Sequence, residues 1–242
     1  MEILIVLLIV VVFFVVVFAV TTAQRNKVFQ ENIERRQQFL TTIGPNARAI
    51  INNGAHFFFI DDDQRCFGLD ESGKVYSYEG LLSVSTYRDC ISFMHKDSVS
   101  LCVGKNRSSN IETLPIDTTS VRAIAGVMLP ILRKNLHNEL AIHAINSTFE
   151  YEHEGSFWGC DMESKMFYTT FGCIQIYKFS DLSRITVEDM RNNTLYDGSY
   201  IIHLYIKSGF DWGDDEFDLT FHTMDTKFHS MLNMFKEIRK RR

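Results

Sequence analysis

The chain has 242 residues and a formal net charge of −5, and 45% of its residues are hydrophobic and 13% aromatic. This composition is typical of a folded globular protein and excludes a largely disordered chain. The acidic balance excludes the basic surface that nucleic-acid binding requires, so we expect no nucleic-acid partner.

The sequence begins with an apolar run that is long enough to cross a membrane. No polar residue occurs from Ile3 to Val20, and at about 1.5 Å per residue a helix over 3–23 would cross most of a hydrocarbon core about 30 Å thick. A secretory signal has a basic start and a shorter apolar core, whereas Glu2 is the only charged side chain before this run. The pattern therefore predicts an uncleaved transmembrane anchor over residues 1–23, with cleavage after Ala23 as the alternative.

The basic residues that follow the run set its expected orientation. Arg25, Lys27, Arg35 and Arg36 all lie after it and none lies before it, and short flanks rich in Lys and Arg stay in the cytoplasm. The predicted location is therefore the inner or plasma membrane, single-pass, with the soluble part in the cytoplasm. The five cysteines agree with a reducing compartment, because no C-x-x-C spacing occurs among them. An exported domain is the alternative, and it would reverse the compartment.

Residues 24–54 are expected to form two juxtamembrane helices. Apolar residues recur at helical spacing up to Leu40, and Gly44-Pro45 then ends the pattern. Asn46 is positioned to cap a short second helix that runs through Ile51.

The remaining sequence runs twice through one order of elements, short strands followed by an amphipathic helix. In the first unit, residues 55–141, the segment from Val99 to Val103 alternates apolar and polar residues, and Asp117 can cap the closing helix. In the second unit, residues 142–242, Asp225 can cap a closing helix with a clean apolar stripe. We therefore predict an α+β fold in which antiparallel sheets are each closed by a C-terminal amphipathic helix.

The two units also match each other in sequence, at Val75–Val84 (VYSYEGLLSV) and Ile176–Ile185 (IYKFSDLSRI). The match pairs Tyr76 with Tyr177 at the same point of each strand run, which indicates a duplicated unit of about a hundred residues. A meander that ends in a single helix resembles the pleckstrin-homology-like fold, and the two phrases are similar to strands of bacterial membrane-associated domains of that type. The resemblance implies two pleckstrin-homology-like units and a role in binding or scaffolding, with no catalytic signature.

Two acidic runs are candidates for ligand binding. Asp61-Asp62-Asp63 lacks the rest of a calcium-loop pattern, so we interpret it as a solvated hairpin tip. The run from Asp211 to Glu216 also has the composition of a turn. Its carboxylates and indole are nevertheless the first candidates if a loop grips a cation or a basic peptide. The candidate ligand-binding residues are Trp212, Asp211, Asp214 and Asp215.

The sequence predicts no catalytic centre. It has neither an H-E-x-x-H nor a G-x-S-x-G motif, it lacks a phosphate-binding loop, and its cysteines lie among apolar residues, where thiols are usually inert. His153, between two glutamates, is expected at a solvated strand end. We therefore predict no catalytic residues, no metal and no cofactor. The alternative is a membrane-tethered enzyme with a site assembled from distant residues such as Asp61, His153 and Asp215.

The end of the chain is strongly basic in an otherwise acidic protein. A helix dipole favours one or two cations at a C-terminus, whereas an anionic cytoplasmic leaflet attracts each nearby cation by about 1 kcal/mol. The predicted lipid-contact residues are Lys236, Arg239, Lys240, Arg241 and Arg242. The predicted function is a membrane-anchored binding or scaffolding module that holds a protein partner or a lipid headgroup at the cytoplasmic membrane surface.

Overall fold

A computed structural model of the chain describes residues 2–52, 57–70, 73–87, 90–97, 99–104, 117–190, 199–207 and 214–242. Side chains are described over the same ranges except at residues 2–13, 15, 52, 87, 99–104 and 214. The chain divides into two compact units, residues 1–77 and 78–242.

The first unit combines one long helix with a four-stranded sheet. Helix α1, Glu2–Ile43, has 42 residues and ends directly before Gly44-Pro45, as predicted. Phe39 in this helix packs edge-on against Phe57 and Phe59, with ring centroids 5.7 and 5.4 Å apart. The antiparallel sheet has the order β1-β2-β3-β4 and consists of β1 (Arg48–Asn52), β2 (Phe57–Asp61), β3 (Cys66–Leu69) and β4 (Lys74–Ser77).

The expected transmembrane anchor over residues 1–23 is not supported. Within the part of the chain whose side chains are described, no helix is both long enough and apolar enough to cross a membrane. On this finding the predicted transmembrane helix and the predicted single-pass inner- or plasma-membrane location are wrong.

A second correction concerns residues 46–51, for which the sequence predicts a short helix. The backbone instead forms β1, which pairs antiparallel with β2. The Asn46 side chain donates to the Asp63 carboxylate across the hairpin instead of capping a helix. All five residues of β2 are buried, so pairing with this apolar strand outweighs the local helical signal.

The second unit begins with a three-stranded sheet that a helix covers. A 3-10 turn at Tyr78–Gly80 leads into the antiparallel order β5-β6-β7. Helix α2 (Thr118–Ile142) packs on β5 and is capped by Asp117, whose side chain accepts the Ser120 N–H at 2.7 Å. The strands are β5 (Leu81–Tyr87), β6 (Cys90–His95) and β7 (Val99–Gly104).

The rest of the second unit has the same order of elements as the chain up to α2, namely a four-stranded sheet, a three-stranded sheet and a helix. That sheet consists of β8 (Phe149–His153), β9 (Ser156–Asp161), β10 (Met166–Thr169) and β11 (Gln175–Lys178), paired in sequence order. A 3-10 turn at Phe179–Asp181 then leads into the sheet β12-β13-β14. Its elements are β12 (Leu182–Asp189), β13 (Tyr200–Lys207) and β14 (Asp214–Phe221), followed by helix α3 (Thr226–Lys240).

The core of this part lies between the two sheets and α3. The Trp158 ring meets Phe217 and Phe235 edge-on, with centroids 5.8 and 5.9 Å apart. The strand alternation and the helix stripe both predict the core faces correctly, since the apolar face of β13, that of β14 and the stripe of α3 are all buried. The core residues they contribute are Tyr200, Ile202, Leu204, Ile206, Phe217, Leu219, Phe221, Phe228, Met231, Leu232, Phe235 and Ile238.

The duplicated order is visible in the details of equivalent hairpins. Asp61 Oδ1 accepts the N–H groups of residues 63 and 64 at 2.9 and 3.0 Å, and Asp161 Oδ1 accepts those of residues 163 and 164 at 2.9 and 3.3 Å. The α+β class with antiparallel sheets is confirmed. The compact units divide at residue 77, inside the predicted first strand-rich unit, so the boundaries 24–54, 55–141 and 142–242 stay predictions.

Candidate binding groove

A groove of about 400 Å³ lies between strand β12 and helix α3. This volume is within the range of sites that take ligands in proteins. We call it the β12–α3 groove. Its lining residues are Ile185, Val187, Leu232, Lys236, Arg239 and Lys240.

The floor of the groove is an extension of the apolar core. Ile185 pairs with Leu204 and Val187 with Ile202, and both partners on β13 are fully buried. Because side chains alternate along a strand, Ile185 and Val187 lie on the core face of the sheet. Val187 nevertheless remains 42% exposed. The apolar face of β12 therefore continues beyond the surface that α3 covers.

The rim of the groove is positively charged. Every charged side chain that lines it is a cation, namely Lys236, Arg239 or Lys240. Glu237 lies on the same helix, but Arg241 donates to it at 2.6 Å and Lys240 lies 4.0 Å from it. The hydrogen bond from Arg241 lowers the pKa of Glu237. This carboxylate is thus already paired, and the rim keeps a net positive charge.

The basic end of the chain, predicted to contact lipid, is divided between two roles. Lys236, Arg239 and Lys240 line the groove. Arg242 donates to the Leu182 carbonyl at 3.3 Å, which ties the end of the chain to the start of β12. Lipid contact by these residues stays a prediction.

Strand β12 lies at the edge of its sheet. It pairs with β13 along one side, and among the strands that the structure describes none pairs with the other side. An edge strand presents alternate backbone N–H and C=O groups outward, where an added strand can bond to them. The groove therefore combines an apolar floor, a basic rim and a strand edge.

The predicted ligand loop is only partly described. Asp211 and Trp212 lie outside the described residues, and Asp214 is described only as the first residue of β14. Asp215 follows it with an exposed side chain, opposite Ile206 of β13. The prediction that these residues bind a ligand is therefore untested and stays a prediction.

His153 lies in a different environment from the solvated strand end that we expected. Its side chain is 8% exposed and its ring stacks on Phe221, with centroids 4.1 Å apart. Burial, together with the positive charge of Lys227, lowers the pKa of His153 to about 4. The expectation failed because Glu152 and Glu154 suggested a solvated segment, whereas the packing of β8 against β14 decides the position.

The distant-residue enzyme site stays an untested alternative, because Asp61 belongs to the first compact unit and His153 and Asp215 belong to the second. Asp61 uses Oδ1 to hold the backbone of its own hairpin, and Asp215 is exposed at the start of β14. The cysteine prediction agrees with the structure at Cys160, where burial raises the pKa of the thiol to about 12. Such a thiol is a poor nucleophile.

A polar cluster that no sequence motif indicates lies on the outer face of the sheet β12-β13-β14. His203 Nδ1 lies 2.7 Å from Asp218 Oδ1 and 3.6 Å from Glu216 Oε1, and His203 Nε2 lies 3.1 Å from Glu188 Oε2. Alternation predicts that each side chain lies on the polar face of its own strand. The register between strands brings the four together, and the residues themselves do not encode that register.

Comparison of the chain with protein-family models, with curated proteins and with solved structures finds no match. The resemblance to pleckstrin-homology-like domains therefore stays a prediction.

Proposed function

We propose that the chain is a binding module whose β12–α3 groove holds an extended, acidic segment of a partner protein. The observation that carries this proposal is the position of a basic-rimmed apolar groove directly beside the outer edge of β12, with which none of the described strands pairs. The proposal keeps the binding or scaffolding role that the sequence suggests and requires no transmembrane segment.

The backbone of β12 supports binding by strand addition. An extended peptide laid along an edge strand gains main-chain hydrogen bonds whatever its sequence, and pockets for alternate side chains supply specificity. The groove lies along Ile185 and Val187 on the core side of this strand. One face of an added strand would therefore direct its side chains into the groove.

The chemistry of the lining determines which peptide fits. Apolar residues at alternate positions would cover Val187 and the exposed part of Leu232 and remove that surface from water. Acidic residues near them would meet Lys236, Arg239 and Lys240, and such complementary charge mainly raises the association rate and the specificity. A basic segment would be repelled by the same rim.

The test uses the full chain and two synthetic ten-residue peptides, one alternating Val with Glu and one alternating Val with Lys. We expect fluorescence anisotropy to report binding of the acidic peptide only, and the affinity to fall as salt is added. Arg239→Glu should weaken binding at least tenfold. Lys134→Glu, which reverses an exposed cation on α2, is the matched control and should leave binding unchanged.

A third peptide tests the strand-addition step itself. Methylation of alternate backbone nitrogens of the Val-Glu peptide removes hydrogen-bond donors without changing charge. Methylation of the nitrogens that face β12 should abolish binding, whereas methylation of the nitrogens that point away from β12 should leave binding unchanged. Equal binding of the acidic and basic peptides, or full binding after Arg239→Glu, would refute the proposal. Binding of phosphatidylserine vesicles with no binding of either peptide would refute it in favour of lipid contact by the basic end of the chain.

A further inference from the structure

The outer face of the sheet β12-β13-β14 carries the polar cluster around His203, on the side opposite the groove. His203 pairs directly with Asp218 in the strand register, and Glu216 lies two residues before Asp218 on the same face. The His203 side chain is 14% exposed, whereas those of Glu216 and Asp218 are 49% and 54% exposed. A constrained imidazole on the central strand thus faces two carboxylates that remain accessible.

We propose that His203, Glu216 and Asp218 bind a divalent transition-metal ion such as Zn²⁺. One ligand atom from each residue lies within 4.8 Å of the other two. Ligand atoms around a tetrahedral Zn²⁺ ion at about 2.0–2.2 Å are about 3.5 Å apart. The Asp218 carboxylate therefore has to move outward from its 2.7 Å contact with Nδ1 by less than about 1 Å. Its exposed position on the strand surface allows this.

Glu188 on β12 prepares the imidazole for such an ion. It lies 3.1 Å from His203 Nε2, on the far side of the ring from Glu216 and Asp218. An ion that binds Nδ1 takes the place of the proton in the 2.7 Å contact with Asp218, while Nε2–H donates to the Glu188 carboxylate, so the Nδ1 lone pair is directed at the ion. Histidines that bind metals commonly donate their second ring nitrogen to a carboxylate in this way. Glu188 is therefore a positioning residue and not a ligand.

The charge of the cluster also favours a cation. Three carboxylates surround one imidazole, and within the described ranges all their ion pairs are made with His203. The neighbouring Arg184 guanidinium is stacked on the Tyr205 ring, 3.7 Å from its centroid. Tyr205 in turn donates a hydrogen bond to Glu216. The cluster therefore carries an excess of negative charge that a dication neutralises.

The donor set selects the class of ion. One imidazole nitrogen and two carboxylate oxygens suit Zn²⁺, Ni²⁺, Cu²⁺ and Mn²⁺, whereas Mg²⁺ and Ca²⁺ prefer oxygen ligands alone. Three protein ligands leave positions for water or for a group of a partner molecule. The site is independent of the groove, so it stands or falls separately from the proposed function.

The experiment is a calorimetric titration of the full chain with Zn²⁺, with Mg²⁺ as the comparison ion. We expect one Zn²⁺ per chain, no binding of Mg²⁺, and at least a tenfold loss of affinity in His203→Gln and in Glu216→Gln. Glu188→Gln should weaken binding while keeping one ion per chain, because it removes only the orienting hydrogen bond. His143→Gln is the matched control, because His143 is an exposed histidine with a single glutamate partner at 3.3 Å.

The circular dichroism spectrum checks that each variant is folded. Glu216→Gln changes an exposed side chain, so its result remains interpretable if His203→Gln disturbs the sheet. The proposal is overturned if the wild-type chain binds no Zn²⁺ at one ion per chain. It is equally overturned if folded Glu216→Gln and His203→Gln bind Zn²⁺ as the wild type does, which would assign the cluster to ion pairing of a protonated imidazole alone.

Discussion

Hairpins β2–β3 and β9–β10 each place one aromatic ring opposite a glycine, but the ring lies on the first strand of one hairpin and on the second strand of the other. In β2–β3, Phe59 pairs with Gly68, and a Cβ at Gly68 would lie 2.9 Å from the Phe59 ring. In β9–β10, Gly159 pairs with Tyr168, and a Cβ at Gly159 would collide with the Tyr168 hydroxyl. The residue numbers differ by 100, so the ring and the glycine have exchanged strands. The combined volume of a directly opposed pair is therefore constrained, whereas the residue at either position is not.

The largest expected effect comes from filling the glycine position of one hairpin. Gly159→Phe puts two rings on one pair and should lower the free energy of unfolding by more than about 3 kcal/mol. In a Tyr168→Gly background the same substitution should cost less, because the space of the ring has been vacated. Part of the cost should remain, since a Cβ at position 159 also lies 2.5 Å from the Phe149 carbonyl oxygen.

Urea unfolding of the wild type, the two single variants and the double variant measures this coupling. A favourable interaction energy of at least about 1 kcal/mol is expected between two sites that touch. Strictly additive effects would mean that the pair is not the unit of packing.

The second-largest expected effect is a loss of folding stability in acid that depends on the hairpin region of His153 and has no counterpart in the first hairpin region. The pKa of His153 is about 4 in the folded chain, against about 6.5 when unfolded. The unfolded chain therefore binds more protons between these values, so the stability that His153 confers is complete above pH 6.5 and is lost as the pH falls toward 4. The expected loss is about 3 kcal/mol. The residue 100 positions earlier is Asn53, which does not titrate.

Urea unfolding at pH 7 and at pH 4 checks this expectation, with His153→Asn as the variant that copies the first hairpin region. Carboxylates contribute to the acid response of both proteins, so the difference between the two responses isolates the histidine. An equal loss of stability in both proteins would contradict the assignment.

The smallest expected effect comes from the turn of each hairpin, and we expect it to be the same in both. Arg65 and Lys165 occupy the same turn position with φ of 51° and 56°, a region that favours glycine. Arg65→Gly and Lys165→Gly should each change stability by no more than about 1 kcal/mol, in the stabilising direction, because strain is relieved while the unfolded chain gains freedom. Differential scanning calorimetry of both variants provides the measurement. Shifts of opposite sign would show that the two turns are not equivalent.

The sequence predicts well those features of the fold that depend on nearby residues. Asp117 and Asp225 cap their helices as expected, because an N-cap needs only a side-chain acceptor a few residues before the donors. The strand β1 was missed because its partner β2, and not its own residues, stabilises it. His153 was misplaced for the same reason, since Phe221 lies 68 positions away in the chain.

The candidate sites depend even more on distant contacts. The alternation of Ile185 and Val187 is visible in the sequence. Val187 is exposed, however, only because α3 does not extend over it. The cluster around His203 requires three strands in one register. Both sites are therefore properties of the packed sheet, which no short segment of the sequence encodes.

The exchanged ring and glycine also bear on how the chain avoids pairing errors while it folds. Hairpins with similar sequences in one chain can exchange strands and become trapped in misassembled states. If β2 paired with β10 in the native register, Phe59 would face Tyr168, and the complementary exchange would place Gly68 opposite Gly159. One product would be overfilled and the other would contain a void, so both would be less stable than the correct hairpins. The same exchange that leaves each hairpin well packed thus makes the two copies poor partners for each other.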